Sequence, residues 1–152
     1  MKLLAKCFAL LVCCGLVLPA YGVTCSIVSA LMTFGSYDPI ATNRTTDKTA
    51  LGTMQINCSG ATTVTISLAV GTGTFATRTM GNGGNTLNYN LFADAGYSQV
   101  WGDGTSGTVT VPCGFSSSGT QSISLYGKIP KGQSTTAVGT YNATPQVTIS
   151  WP

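Results

Sequence analysis

Apolar residues recur at every second position in five stretches of the chain. "TMQINC" (53–58) places Met54, Ile56 and Cys58 on one face, and "VTISLAV" (64–70) places Val64, Ile66, Leu68 and Val70 opposite Thr and Ser. "LNYNLF" (87–92) alternates Leu87, Tyr89 and Leu91 with Asn88 and Asn90. "ISLYGKI" (123–129) groups Ile123, Leu125 and Ile129, with Gly127 where a side chain is expected, and "VTISW" (147–151) groups Val147, Ile149 and Trp151. A period of two predicts half-buried strands. Between them, "GTGTF", "MGNGGN", "GDGTSG", "CGFSSSG" and "PKGQ" read as turns and loops, since Gly and Asn tolerate positive φ. No stretch has helical periodicity, and short strands with regularly spaced turns predict a β-sandwich. The first segment, "CSIVSALMTFG" (25–35), is less regular. Ile27 and Leu31 fall on one face, with Val28, Ala30, Met32 and Phe34 on the other. A strand apolar on both faces is sandwiched, or switches sheets part way.

The start of the chain reads as a secretory leader over residues 1–22. Lys2 and Lys6 precede the apolar run "CFALLVCCGLVLP", and Ala20 and Gly22 are the small residues a signal peptidase reads. The run is too short for a membrane span. Lipidation at Cys13 or Cys14 is the rival, but Val12 or Cys13 stands where a small residue belongs. Cleavage after Gly22 leaves one domain, 23–152, of about 130 residues, long enough for a sizeable core. Its charges are Arg44, Lys48, Arg78, Lys128 and Lys131 against Asp38, Asp47, Asp94 and Asp103, a net of +1. Such a weak field argues against nucleic acid or a membrane surface as partner.

Catalysis is poorly supplied. The chain has no His and no Glu, so the usual partners of a nucleophile are missing, and no metal or cofactor site is expected. Asp94 and the "GDG" around Asp103 match no calcium loop and read as turns. "MGNGGN" lacks the lysine of a phosphate loop and reads as a mobile hairpin. Asn43, Asn57 and Asn142 begin N-x-Ser/Thr sequons of a kind that Asn- and Thr-rich chains produce by chance. Tyr37, Tyr97, Trp101 and Phe115 could form an adhesive patch, though core or turn packing is the default for such residues. After leader removal three cysteines remain: Cys25, Cys58 and Cys113. An exported chain meets an oxidising compartment, so a disulfide is expected, with one thiol left over or paired between molecules.

"FGSYDP" (34–39), "LNYNLFADAGYSQVWGDG" (87–104), "LYGKIPKGQ" (125–133) and "VGTYNATPQVTISW" (138–151) occur in an order that resembles the spore coat protein U domain family. That family includes subunits of archaic, Csu-type chaperone–usher pili. The resemblance implies an all-β, incomplete immunoglobulin-like sandwich that lacks its final strand and is completed by a donated one. A periplasmic chaperone would fill the groove first, an outer-membrane usher would handle the subunit, and a neighbouring subunit would then donate its strand. It also implies a Cys25–Cys58 disulfide between the first two strands. Val147, Ile149 and Trp151 become candidates for the strand beside the acceptor groove, or plain core.

Three departures stand out. Only Val23 and Thr24 lie between the expected cleavage site and Cys25, whereas a donor segment needs about five residues. "YNATPQV" (141–147) lacks the acidic residue usual after the tyrosine and introduces Pro145. Cys113, an unpaired or intermolecular thiol, matches no family position. The expectation is an exported, non-enzymatic pilus subunit at the cell surface, at the tip or terminating a fibre, acting in attachment to an abiotic surface or glycan and in biofilm formation. The alternative is a free-standing coat or surface protein built on the same domain.

Overall fold

A computed structural model describes residues 22–152, so the leader read over 1–22 lies outside the described residues except for its last position. Eight strands form: β1 Cys25–Leu31, β2 Lys48–Cys58, β3 Thr62–Leu68, β4 Arg78–Asn82, β5 Asn85–Phe92, β6 Val111–Phe115, β7 Gly119–Ile129 and β8 Val147–Ser150. They make a five-stranded sheet in the order β1-β2-β7-β5-β4 and a three-stranded sheet in the order β6-β3-β8. All ladders are antiparallel. The alternating residues of the sequence supply the core: Met54, Ile56, Val64, Ile66, Leu68 and Leu125 are all buried between the sheets. Each buried aliphatic side chain contributes about 1.5–3 kcal/mol relative to its exposed state.

Two strands differ from the sequence reading. "CGFSSSG" reads as a loop, yet Cys113–Phe115 complete β6 against β3. β4 contains Arg78, a charge that alternation would place in water, and its side chain is fully buried. The "MGNGGN" hairpin does form: Asn82 pairs with Asn85, and Gly83, at φ 60°, makes the turn.

The irregular first strand has a local cause. Its register against β2 runs Ile27↔Ile56 and then Ser29↔Gln55, so Val28 is an extra, bulged residue. One inserted residue flips every later side chain to the opposite face. Ile27 therefore faces the core before the bulge, while Ala30 stands opposite buried Met54 after it. Leu31, grouped with Ile27 by simple alternation, is instead 73% exposed. Met32 and Phe34 continue inward and pack against the core.

Gly127 makes that inward crossing possible. A Cβ on Gly127 would stand 2.3 Å from Met32 Sδ and 2.7 Å from Phe34 Cζ. Gly52 on β2 leaves room in the same way for the backbone of Leu31 and Met32. The gap that Gly127 leaves in the apolar face of β7 is the seat of the 32–34 segment.

A groove between two unpaired strand edges

The two sheets meet closely at one end and part at the other. At the closed end, the Trp151 indole N–H donates to Val23 O at 2.8 Å, and Thr24 N–H donates to Ser59 Oγ at 2.9 Å. Beside them Cys25 and Cys58, directly opposite in the β1–β2 ladder, form a disulfide. Moving away from this end, β1 and β8 diverge, and no described strand lies between them.

The space they leave is a groove of about 1020 Å³. Residues 30–40 form one wall and residues 136–145 with Val147 form the other. Leu68, Met80, Tyr89, Leu91, Leu125 and Ile129 make an apolar floor. Among the described residues Asp38 is its one charged lining residue, and its carboxylate already accepts the amides of Ile40 and Ala41, at 3.0 and 2.9 Å. Those amides hold the Asp38 carboxyl below the usual carboxylate range.

Among the described residues, no strand pairs with the β8 edge that faces this groove. Ala69 N–H donates to Gln146 O at 2.8 Å. Antiparallel alternation then turns the groups of Gln146 and Thr148 toward β3, and those of Val147 and Ile149 toward the open edge. An exposed edge with free N–H and C=O groups is a template for another strand.

The resembling motifs build the groove mouth. In "FGSYDP", Tyr37 donates its hydroxyl to Pro130 O at 2.7 Å and accepts Gln133 N–H at 3.2 Å. Pro130 has no N–H, so the β7 ladder stops there. The Gln133 side chain takes over its role on β5, accepting from Asn88 N–H at 2.8 Å and donating to Asn88 O at 3.0 Å. Asn43 joins the two loops: its side chain accepts Asp38 N–H and donates to Thr46 O, while its carbonyl accepts Gly132 N–H. Being 5% exposed and engaged at both side-chain atoms, Asn43 is closed to glycosylation.

Of the three candidates on the last strand, Val147 lines the groove. Ile149 is half-buried against the core, and Trp151 caps the closed end. Cys113 is half-buried, opposite buried Val64, and has no partner among the described residues. Burial pushes its thiol pKa up. Asp94 accepts the amides of Ser98 and Gln99, and Asp103 accepts that of Thr105, so both carboxylates close turns. Trp101 and Phe115 are core residues, Tyr37 belongs to the mouth, and Tyr97 is half-buried in an edge-to-face stack with Phe92 and Tyr126.

Across the ladder from Tyr89 of the floor stands a group that alternation hides. Arg78, on β4 opposite Tyr89, donates to Asn90 Oδ1 at 2.6 Å, Trp101 O at 2.7 Å and Ala69 O at 3.3 Å. Its Nε is buried without a partner, and no carboxylate is paired with it among the described residues. The signal for it is weak: a basic residue between two threonines, two positions before Met80 in a glycine-rich stretch.

The comparisons with known proteins agree with this geometry. The profile of the Spore Coat Protein U domain matches residues 13–148. Protein U of Myxococcus xanthus is 32% identical over 145 residues, spanning 86% of this chain and 79% of that protein. Among solved structures, a chain of the CsuC–CsuE chaperone–tip adhesion subunit pre-assembly complex, from the archaic chaperone–usher Csu pili of Acinetobacter baumannii, superimposes with a TM-score of 0.59. It is 21% identical, and the match covers 84% of this chain but only 39% of that one. The structural likeness establishes the fold, an all-β immunoglobulin-like sandwich left open between β1 and β8. With its profile matched over most of its length, the chain belongs to the Spore Coat Protein U domain family.

Proposed function

We propose that this protein is an exported structural subunit of a chaperone–usher pilus, acting without catalysis by accepting a strand from another chain. The observation that carries this reading is the apolar groove, flanked by the unpaired edge of β8 and floored by the core. A guest strand would pair with the outward groups of Val147 and Ile149 and seat alternate apolar side chains on that floor. The fold shared with a chain of a chaperone–subunit complex supports a periplasmic chaperone as first occupant and a neighbouring subunit as second. An outer-membrane usher, display at the cell surface, adhesion and biofilm formation belong to the same proposal.

The tip or terminating position rests on leader cleavage after Gly22. Cleavage there leaves Val23 and Thr24 ahead of Cys25, and both are pinned at the closed end. The test is strand exchange. The chaperone-bound subunit is mixed with peptides from the N-termini of the subunits encoded beside it, and release of the chaperone is followed. Release by at least one peptide is expected; none with any peptide overturns the pilus reading. The family's description as a spore coat domain supports a second reading, a coat or surface protein built on the same domain without an usher. Absence of chaperone and usher genes from its neighbourhood would favour that one.

A further inference from the structure

Aromatic residues with a polar tip mostly place it on a partner in this protein. The hydroxyls of half-buried Tyr97 and Tyr126 have no hydrogen bond to a described residue, and among the fully buried residues there is one exception. The indole N–H of Trp101 donates to Ile66 O at 3.1 Å and that of Trp151 to Val23 O. The hydroxyls of Tyr37 and Tyr141 donate to Pro130 O and Ala137 O, each at 2.7 Å. Tyr89 is the exception. It is 4% exposed, yet its hydroxyl has no hydrogen bond to any described residue, and only burial and the charge of Arg78 act on it. Its Oη is not among the fully enclosed atoms without a partner, and the ring belongs to the groove floor, so the hydroxyl opens to the groove. Phe34 packs against the ring at 6.2 Å, edge to face, which fixes its position. A hydroxyl this buried normally finds a partner.

Arg78 decides which kind of partner fits. It stands directly across the β4–β5 ladder from Tyr89, fully buried and with no carboxylate beside it. A positive charge there favours an electron-rich oxygen near the hydroxyl, with Tyr89 as the donor. The rest of the floor is apolar, so this is the one place where it can read a polar group.

We propose that Tyr89 is a specificity-determining residue: it selects a guest strand with an acceptor oxygen, from Thr, Ser or Asn, at the inward position above it. This rests on the strand-acceptance reading. The probe is a set of synthetic 12-residue peptides with Val at every second position and a single Thr walked through those positions. Thr and Val have nearly the same shape, so the pairwise comparison isolates the hydroxyl. One position is expected at which Thr binds about tenfold more tightly than Val, while Thr weakens binding at the others. In Tyr89→Phe, which keeps the ring against Phe34, that preference is expected to vanish, so that Thr weakens binding at every position. If peptides bind but Thr is disfavoured at every position, the role given to Tyr89 is overturned and strand acceptance stands. If no peptide binds the wild-type protein, strand acceptance itself fails.

Discussion

The closed and open ends of the sandwich solve opposite problems. At the closed end the edges are fastened by the Cys25–Cys58 disulfide, the Trp151–Val23 hydrogen bond and the Thr24–Ser59 pair. At the open end, Val147 and the 30–40 segment stand apart over an apolar floor. A missing strand leaves an immunoglobulin-like sandwich short of core contacts along one whole edge. Stability is therefore concentrated at one end and binding capacity at the other. Changes at the closed end should lower stability with little effect on strand affinity. Changes at the open end should weaken strand binding, whatever they do to stability.

The largest stability effect is expected from the disulfide. Cys25→Ala with Cys58→Ala frees a loop with a sequence separation of 33 residues and should cost about 4 kcal/mol on chain-entropy grounds, measured by urea unfolding. If the protein with both cysteines replaced unfolds at the wild-type midpoint, the closed end is not the anchor. Gly127→Val comes next. It intrudes on the seat of Met32 and Phe34 and should cost about 1–3 kcal/mol. It should also weaken guest-strand binding, which the disulfide change should leave nearly intact in the folded fraction. Equal effects of the two changes on affinity would erase the distinction between the ends.

Smaller effects follow from single groups. Trp151→Phe leaves a smaller aromatic ring and removes the N–H donated to Val23 O, a loss of at least about 1 kcal/mol by the same unfolding assay. The pH dependence comes from both signs of shift. Asp38, Asp94 and Asp103 have folded pKa values below their ordinary 3.8, held down by hydrogen bonds. Their contribution is present above that value and is lost as pH falls through the lower folded values. Tyr89 is raised above 10.0, mainly by burial, so its contribution is complete below 10.0 and is lost as pH rises through the higher folded value. The Cys113 thiol, raised by burial above its ordinary 9.0, adds a loss that starts earlier. A stability profile flat between 3.8 and 9.0 and falling beyond both is expected from unfolding midpoints across pH.

Much of this was legible in the sequence, for identifiable reasons. Long strands such as β2, β3 and β7 announce themselves because each buries one face, which imposes a period of two. The motif order pointed to the family, and with it to the Cys25–Cys58 bond and the open groove. The bulge at Val28 was not legible, because an extra residue is visible only against its partner strand. β4 and β6 escaped because Gly, Pro and a buried Arg interrupt their alternation. Trp151 shares a face with Val147 in sequence, yet Val147 lines the groove while Trp151, just past the end of β8, caps the closed end. The unpartnered hydroxyl of Tyr89 depends on what surrounds it in three dimensions, and no local signal carries that.

Amide hydrogen exchange at the β8 edge tests strand acceptance most directly. In the free protein, the Val147 and Ile149 amides, which face away from β3, should exchange quickly, while the core amides of β2 and β3 are protected. Adding a saturating donor peptide should slow exchange at Val147 and Ile149 by at least tenfold, as their N–H groups enter a new ladder, with the closed end unchanged. A bound peptide that leaves both amides exchanging at their free rate would show that it sits elsewhere, and that β8 is not an acceptor edge.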